Sequence, residues 1–294
     1  MTTDVSLSCF DGFSLIYSKS TQGKGREYVA KQIIDPGTTV LKVTPYATAI
    51  FDSFKKRLCA RCLCAHPTKS FSTHCLGCDQ VYFCSIDCAN KYLKWHDPGC
   101  CDVLRKLASL KKVDRHMKSV AKLVVMIYWQ RQKNNEDNSY TLVQHLESHY
   151  DDWDQDIKRD WHRIHTFLWK HISALGWLLP HETDADIMHL VSKIESNGFG
   201  IYLENRLDVV AGRALYPLAS LFNHDCAYNC QPRGKFREMT IRTLSTIQKE
   251  DPLTIAYTDT DLPVMNRRQK LLQDYYFTCQ CNRCLLESAS KKRK

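Results

Sequence analysis

Eight potential metal ligands lie close together in the first third of the chain. They form four pairs, Cys59-x2-Cys62, Cys75-x2-Cys78, Cys84-x3-Cys88 and His96-x3-Cys100. Two residues between cysteines let one tight turn present both thiolates to one metal, and zinc is usually bound by four sulfur or nitrogen ligands. The four pairs therefore predict two tetrahedral zinc sites.

A second group of chemically active residues lies toward the other end. Asn223-His224-Asp225-Cys226 is followed by Tyr257, which ends an apolar run, and then by Cys279-x-Cys281-x2-Cys284. Three cysteines make an incomplete zinc site, because a structural site is closed by four ligands. Cys226 supplies the fourth ligand only if the chain folds back on itself.

Composition limits the class of protein. The chain has 294 residues, of which 44% are hydrophobic and 11% aromatic, and this predicts one large globular domain or two smaller ones. Fifteen cysteines without an apolar N-terminal signal favour metal ligation in a reducing compartment over disulfides. The most apolar stretch, Val120 to Trp129, is too short to span a membrane.

The net charge of +9 is spread along the chain, which favours an ordinary solvated surface over a nucleic-acid interface. The one dense basic run is Lys291 to Lys294. It is either a nuclear localisation signal or a solvated tail, and the sequence leaves both readings open.

Strand patterns occur near both ends of the chain, and helical periodicity occurs between them. The predicted strands are Ser14–Tyr17, Tyr28–Ile34, Thr38–Val43, Thr240–Leu244 and Leu253–Tyr257. The predicted helices run from an N-cap at Ser85 to Trp95, along Leu104–Val113 and Val120–Ile127, and over Trp153–Trp177 and Ala185–Ile194. Because the strands enclose the cysteine-rich module and the helices, we predict that both β parts form one interrupted domain.

In combination these motifs resemble the SET domain with an inserted MYND zinc finger, as in SMYD-type protein lysine methyltransferases. The resemblance is carried by Gly23-Lys24-Gly25-Arg26, the zinc ligands, Asn197-Gly198-Phe199, Leu215-Tyr216-Pro217, Asn223-His224-x-Cys226, Tyr257 and the last three cysteines. It implies an α+β fold, in which a β-rich SET domain with a pseudoknot is interrupted by a MYND finger and a helical insert and closed by a zinc-binding post-SET segment. The implied boundaries are 1–51 for the first SET part, 52–101 for the finger, 102–195 for the insert, 196–265 for the second SET part, 266–286 for the post-SET segment and 287–294 for the basic tail.

The resemblance also implies how the ligands are shared among three zinc ions. The implied sets are Cys59, Cys62, Cys84 and Cys88; Cys75, Cys78, His96 and Cys100; and Cys226, Cys279, Cys281 and Cys284. Cys64 and Cys101 lie beside assigned ligands, so a register that differs by one or two positions remains open at those places.

The resemblance implies an S-adenosylmethionine-dependent lysine N-methyltransferase that acts on histones or other proteins. The implied cofactor-binding residues are Lys24, Gly25, Arg26, Asn197, Asn223, His224, Tyr257 and Phe277. Tyr257 and Tyr275 would be the catalytic pair, at the mouth and in the wall of the lysine channel. Glu27, Asp225 and Tyr228 stand where the family usually has Gly, Ser and Pro.

A non-enzymatic adaptor is the competing hypothesis, because MYND fingers commonly bind proline-containing peptides. The joint presence of the cofactor residues favours the enzyme. We expect a protein substrate that presents a lysine, a proline-containing peptide as a further partner at the finger, and no primary role for nucleic acid or membrane. We also expect a monomer, located in the nucleus, the cytoplasm or both.

Overall fold

The computed structural model describes residues 14–23, 25–66, 68–96, 98–133, 139–203 and 206–291. The strands in these ranges are β1 (Ile16–Thr21), β2 (Gly25–Ala30), β3 (Thr39–Val43), β4 (Ala47–Ile50), β5 (Gly198–Leu203), β6 (Arg206–Leu215), β7 (Asn223–His224), β8 (Cys230–Lys235), β9 (Glu238–Thr243) and β10 (Pro252–Ile255). The helices are α1 (Ile86–Leu93), α2 (Pro98–Ser109), α3 (Arg115–Lys133), α4 (Ser139–Gln144), α5 (Gln155–Ala174), α6 (Asp184–Asn197), α7 (Val264–Tyr275) and α8 (Asn282–Lys291), with a short 3-10 helix at Ala219–Leu221.

The chain divides into two structural units. The first comprises residues 1–44, 218–234 and 238–294, and the second comprises residues 45–217 and 235–237. The boundaries of the six segments predicted from the sequence stay a prediction. The finger and the helical insert both belong to the second unit.

The first unit contains a sheet that joins the two ends of the chain, with strand order β1-β2-β10-β7. β10 pairs antiparallel with β2 and parallel with β7, so that Thr254 lies opposite Asn223 and Ile255 opposite His224. A second sheet has the order β3-β9-β8. Each of these sheets pairs a strand from the first part of the chain with a strand from the later part, β2 with β10 and β3 with β9, and the single interrupted β domain stays a prediction.

The second unit combines the sheet β4-β6-β5 with helices α1 to α6. Its central helix, α3, carries the apolar stretch predicted from residues Val120 to Ile127, and Val120, Leu123, Val124 and Ile127 are all fully buried. Burial on nearly all sides explains why that stretch is so apolar. Among the described residues, the helices are all too short or too polar to cross a membrane.

The predicted N-cap at Ser85 is confirmed. The Ser85 hydroxyl accepts a hydrogen bond from the backbone N–H of Cys88 at 3.2 Å, which satisfies one of the unpaired donors at the start of α1. At the start of α6, the carboxylate of Asp186 accepts a hydrogen bond from the backbone N–H of Thr183 at 2.7 Å. In both helices, a side chain therefore caps the N-terminus by accepting a hydrogen bond from the backbone.

Two helices of the first unit, α7 and α8, are absent from the sequence prediction. The buried face of α7 consists of Val264, Arg267 and Leu271. These positions have helical spacing, but the central one is an arginine, so the stripe does not read as hydrophobic. The burial of this arginine is explained by its contacts with Cys284 and Glu287.

A buried ion pair links two helical segments of the second unit. Arg131 on α3 and Glu182 before α6 are both at most 8% exposed, and two guanidinium–carboxylate contacts of 2.6 and 2.8 Å join them. The Arg131 guanidinium also lies 4.7 Å from the ring centroid of Tyr128 and 4.5 Å from that of Tyr140. Removing one charge of such a pair leaves the other buried without compensation.

Glu182→Ala should therefore lower the free energy of unfolding by about 3–5 kcal/mol. Asp156→Ala is the matched control, because Asp156 pairs with Arg159 on the surface, with side chains 78% and 74% exposed. That variant should lose less than about 1 kcal/mol. Urea unfolding followed by circular dichroism measures both, and equal losses would contradict the assigned role of the buried pair.

Candidate functional site

Three groups of cysteine and histidine ligands come together in the described residues. In each group the potential ligand atoms all lie within 4.8 Å of one another, and the groups are Cys59, Cys62, Cys84 and Cys88; Cys75, Cys78, His96 and Cys101; and Cys226, Cys279, Cys281 and Cys284. The first and third groups are the sets predicted from the sequence. The crossed pairing of the finger is also as predicted, because the first pair joins the third and the second pair joins the fourth.

The predicted ligand Cys100 is wrong by one position, since the structure brings Cys101 to the second group instead. The sulfur of Cys101 lies 3.6 Å from that of Cys75. Cys100 and Cys101 both lie in the first turn of α2, where successive side chains point about 100° apart. Cys100 is fully buried, and Cys101 is the one of the two that joins the other three ligands of the second group.

The distances within the groups fit zinc. Zn–S bonds of about 2.3 Å at tetrahedral angles place sulfur atoms about 3.8 Å apart. The observed sulfur–sulfur distances are 3.6 Å for Cys62–Cys84 and Cys84–Cys88, and 3.9 and 3.5 Å from Cys226 to Cys279 and Cys284. A disulfide would need about 2.05 Å. Each group can therefore hold one metal ion, and soft thiolates with one imidazole are the donors that zinc prefers.

Arginines surround the third group. Arg267 is only 1% exposed, and its Nη2 donates to the sulfur of Cys284 at 3.5 Å and to Glu287 at 2.8 Å. Arg283 donates to the same Glu287 at 2.8 Å and to the backbone oxygen of Cys226 at 3.1 Å. Four thiolates around one divalent zinc carry a net negative charge, so the buried guanidinium is compensated there. This charge balance explains the arginine on the buried face of α7.

Tyr257 lies beside this group and is held at three points. Its backbone N–H donates to Nδ1 of His224 at 3.0 Å, and its hydroxyl donates to the backbone oxygen of Phe222 at 2.8 Å. Its own carbonyl accepts from the hydroxyl of Tyr275 at 3.4 Å, and the two tyrosine rings are 4.7 Å apart. Burial raises the pKa of Tyr257 well above its ordinary value, so the hydroxyl keeps its proton.

His224 uses both ring nitrogens within the protein. While Nδ1 accepts from Tyr257, Nε2 lies 3.3 Å from the sulfur of Cys226. Burial lowers the pKa of His224 to about 4, which keeps the imidazole neutral. The ring centroid of Phe277 is 6.2 Å from that of His224. The structure thus brings His224, Tyr257, Tyr275 and Phe277 together, with Asn223 preceding His224 on β7.

The other residues predicted to bind cofactor are placed as follows. Lys24 lies outside the described residues. Gly25 has a backbone φ of +68°, which favours glycine, and a Cβ built on it would meet no atom within 4 Å. Arg26 follows on β2. Asn197 belongs to the second unit, where its side-chain amide donates to the backbone oxygens of Glu147 and Lys193 at 3.0 and 2.9 Å. The roles of all these residues stay predictions.

Two residues near the site depart from the family pattern, and both have clear partners. The carboxylate of Asp225 accepts from the backbone N–H of Ala227 at 2.7 Å. Glu27 is buried and accepts a hydrogen bond from the hydroxyl of Thr21. Both departures are therefore accommodated in the first unit.

Asn229 positions β10, although its residue type and place in the sequence do not predict this role. Its side-chain oxygen accepts from the backbone N–H of Thr254 at 2.8 Å, and its nitrogen donates to the oxygen of Pro252 at 2.8 Å. It thus joins the segment after Cys226 to β10.

Comparisons with known proteins show what this chain is similar to. The SET domain family matches residues 25–258. A SET and MYND domain-containing protein of Dictyostelium discoideum is 27% identical over 96% of this chain and 84% of that protein. The N-lysine methyltransferase SMYD2-A of Danio rerio is 24% identical over 92% of this chain and 60% of that enzyme.

Among solved structures, the SET domain of LSMT bound to methyllysine and AdoHcy matches with a TM-score of 0.48. Its sequence identity is 13%, and the match covers 90% of this chain and 52% of that chain. The chain thus spans about half of LSMT and somewhat more of SMYD2-A.

The metal groups generate a prediction about two neighbouring cysteines. Purified protein should contain close to three zinc equivalents, and Cys101→Ser should lose at least one of them because Cys101 is a ligand. Cys100→Ala should keep all three, although it leaves a small cavity in the core. Elemental analysis of both variants measures the zinc content. Zinc loss in the Cys100 variant alone would show that Cys100, as predicted from the sequence, is the ligand and Cys101 is not.

Proposed function

The chain belongs to the SET domain family, and on this basis we propose that it is an S-adenosylmethionine-dependent protein lysine N-methyltransferase. The proposal rests mainly on the three hydrogen bonds that hold Tyr257 beside His224 and Tyr275. The N-lysine methyltransferase activity of relatives such as SMYD2-A supports the same reaction. We further propose that the substrates are lysines of histones or of other proteins.

The reaction requires a neutral lysine amine, although free lysine has a pKa of about 10.4. An apolar channel disfavours the ammonium form and lowers that pKa. The rings of Tyr257 and Tyr275, 4.7 Å apart, supply such a wall. The channel also restricts the direction from which the amine approaches, and positioning of this kind accounts for much of the rate.

Tyr257 orients the reacting groups and does not remove a proton. Its raised pKa keeps the hydroxyl protonated at neutral pH, and that proton is donated to the carbonyl of Phe222. The lone pairs of the hydroxyl oxygen then remain available for weak C–H···O contacts with the methyl group, each worth at most about 1 kcal/mol. The amine proton goes to solvent.

When bound, S-adenosylmethionine supplies the methyl group, which its sulfonium activates. The residues present fit such a ligand, because Phe277 offers an aromatic face close to His224 and the backbone at Gly25 leaves open space. Both ring nitrogens of His224 are already engaged, so His224 would contact the cofactor through its backbone. Asn223 and Arg26 are the polar side chains that we propose for the first unit, together with Lys24.

Three further proposals concern partners and location. We propose a proline-containing peptide as a partner of the finger, a monomeric protein, and a location in the nucleus or cytoplasm. The basic run that begins at Lys291 supports the nuclear part of this proposal, and residues 292–294 lie outside the described ranges.

The proposed function is tested by incubating the purified protein with tritiated S-adenosylmethionine and a fractionated cell extract. Acid hydrolysis should place the label in methylated lysine. Label in another amino acid would overturn the lysine assignment. If calorimetry detects no binding of S-adenosylmethionine and no label is transferred, the adaptor hypothesis replaces the enzyme.

Tyr257→Phe should reduce the turnover number by about tenfold or more and leave cofactor affinity nearly unchanged, since the lost contact acts mainly in the transition state. Asn223→Ala should instead weaken cofactor binding. Single-turnover rates and calorimetry separate the two effects. Equal losses of both quantities in both variants would indicate general damage to the fold, and a wild-type rate for Tyr257→Phe would refute its role.

The dependence of the rate on pH separates orientation from base catalysis. Because the pKa of Tyr257 is raised, its hydroxyl does not titrate as the pH rises from 7 to 9. The rise of the rate in this range should come from the lysine amine, and the residual activity of Tyr257→Phe should show the same rise. A flat profile for that variant would identify Tyr257 as the base.

A further inference from the structure

The hydrogen bonds of His224 determine its tautomer. A backbone N–H can only donate, so Nδ1 of His224 must be the acceptor in its 3.0 Å contact with Tyr257. A neutral imidazole then carries its proton on Nε2, which lies 3.3 Å from the sulfur of Cys226. The imidazole therefore donates to Cys226 and accepts from Tyr257. A metal-bound thiolate is a stronger acceptor than a thiol, so this bond is stronger when Cys226 binds a metal than when it carries a proton.

The backbone at Tyr257 needs this support because the sheet ends before it. The parallel pairing of β10 with β7 finishes at Ile255, opposite His224 itself. Two residues later, the N–H of Tyr257 would have no ladder partner in that strand pair, and the side chain of His224 takes this place. The direction in which the chain leaves β10 thus depends on where the imidazole stands.

The position of the imidazole depends in turn on Cys226. The sulfur of Cys226 lies within 3.5 Å of Cys284 and 3.9 Å of Cys279, and its backbone oxygen accepts from Arg283. Glu287 connects Arg283 with the buried Arg267, which itself donates to Cys284. A metal ion that gathers the four sulfurs therefore also determines where the acceptor of the His224 proton lies.

We propose that the imidazole of His224 is a positioning residue that transmits the geometry of the C-terminal metal site to Tyr257. This inference rests on the proposed methyltransferase function and assigns to the metal site a part in turnover beyond stability. His224 acts through Tyr257 and Cys226, and its side chain does not touch the reacting atoms. Loss of either hydrogen bond should lower turnover while the cofactor remains bound.

Two substitutions each preserve one of the two hydrogen bonds of the imidazole and remove the other. His224→Asn places an oxygen near the position of Nδ1, so it can still accept from Tyr257 but is too short to reach Cys226. His224→Gln places an N–H near the position of Nε2, so it can still donate to Cys226 but offers no acceptor to Tyr257. His66→Asn is the matched control, because His66 lies in the finger and its Nδ1 accepts from the backbone N–H of Lys69 at 2.9 Å.

The first readout is independent of activity. Proteins produced with cobalt in place of zinc have sulfur-to-metal charge-transfer bands that respond to hydrogen bonds on the thiolate. Relative to the wild type, the band should shift in His224→Asn and stay in place in His224→Gln and in His66→Asn. A band that does not move in His224→Asn would overturn the contact between His224 and the bound Cys226.

The second readout is the split between turnover and cofactor binding. Both His224 variants should lose about tenfold to a hundredfold in turnover, the effect expected of a small misplacement, with the affinity for S-adenosylhomocysteine unchanged. Affinity that falls in proportion would make the imidazole a cofactor ligand and overturn the proposal, as would wild-type turnover in both variants. If the wild-type protein neither binds S-adenosylhomocysteine nor methylates, the proposed function fails, whereas the cobalt spectra still report on the contact itself.

Discussion

The rest of the first unit depends on β10, a strand of four residues that pairs along both of its edges. One edge pairs with β2 from the start of the chain, and the other pairs with β7, which carries Asn223 and His224. A short strand between two partners is fixed in direction, because every slip would leave buried backbone groups unpaired on both sides. Asn229 adds hydrogen bonds at Pro252 and Thr254, and Tyr257 emerges from the fixed end.

Charge balance determines how the C-terminal segment packs on this sheet. The buried Arg267 would be costly in an apolar core, yet it lies against Cys284 and Glu287 and so next to the thiolate group. Metal ligation and the guanidinium thus stabilise each other. The same group packs against the partly buried rings of Tyr257, Tyr275 and Phe277, so the metal site and the proposed methyl-transfer site share one small core.

The chemistry proposed for this site needs little from ionisable side chains. The hydroxyl of Tyr257 keeps its proton, and His224 is neutral with both nitrogens engaged. The side chains around the tyrosine serve to hold it, and the reaction then relies on alignment and on an apolar surrounding. These properties fit a reaction in which the substrate amine loses its proton to water.

Ligand spacing by itself predicted two zinc sites in the finger and an incomplete third site, because such patterns are local, whereas the SET-type fold and eleven of the twelve ligands in their three sets followed from the resemblance to a known family. The choice between Cys100 and Cys101 was not local, since it depends on how α2 is rotated against the core. α7 was missed because Arg267 occupies a core position that only the folded thiolate group makes favourable. The double hydrogen bond of His224 likewise required the structure, because residues 226 and 257 meet only after distant segments of the chain have paired.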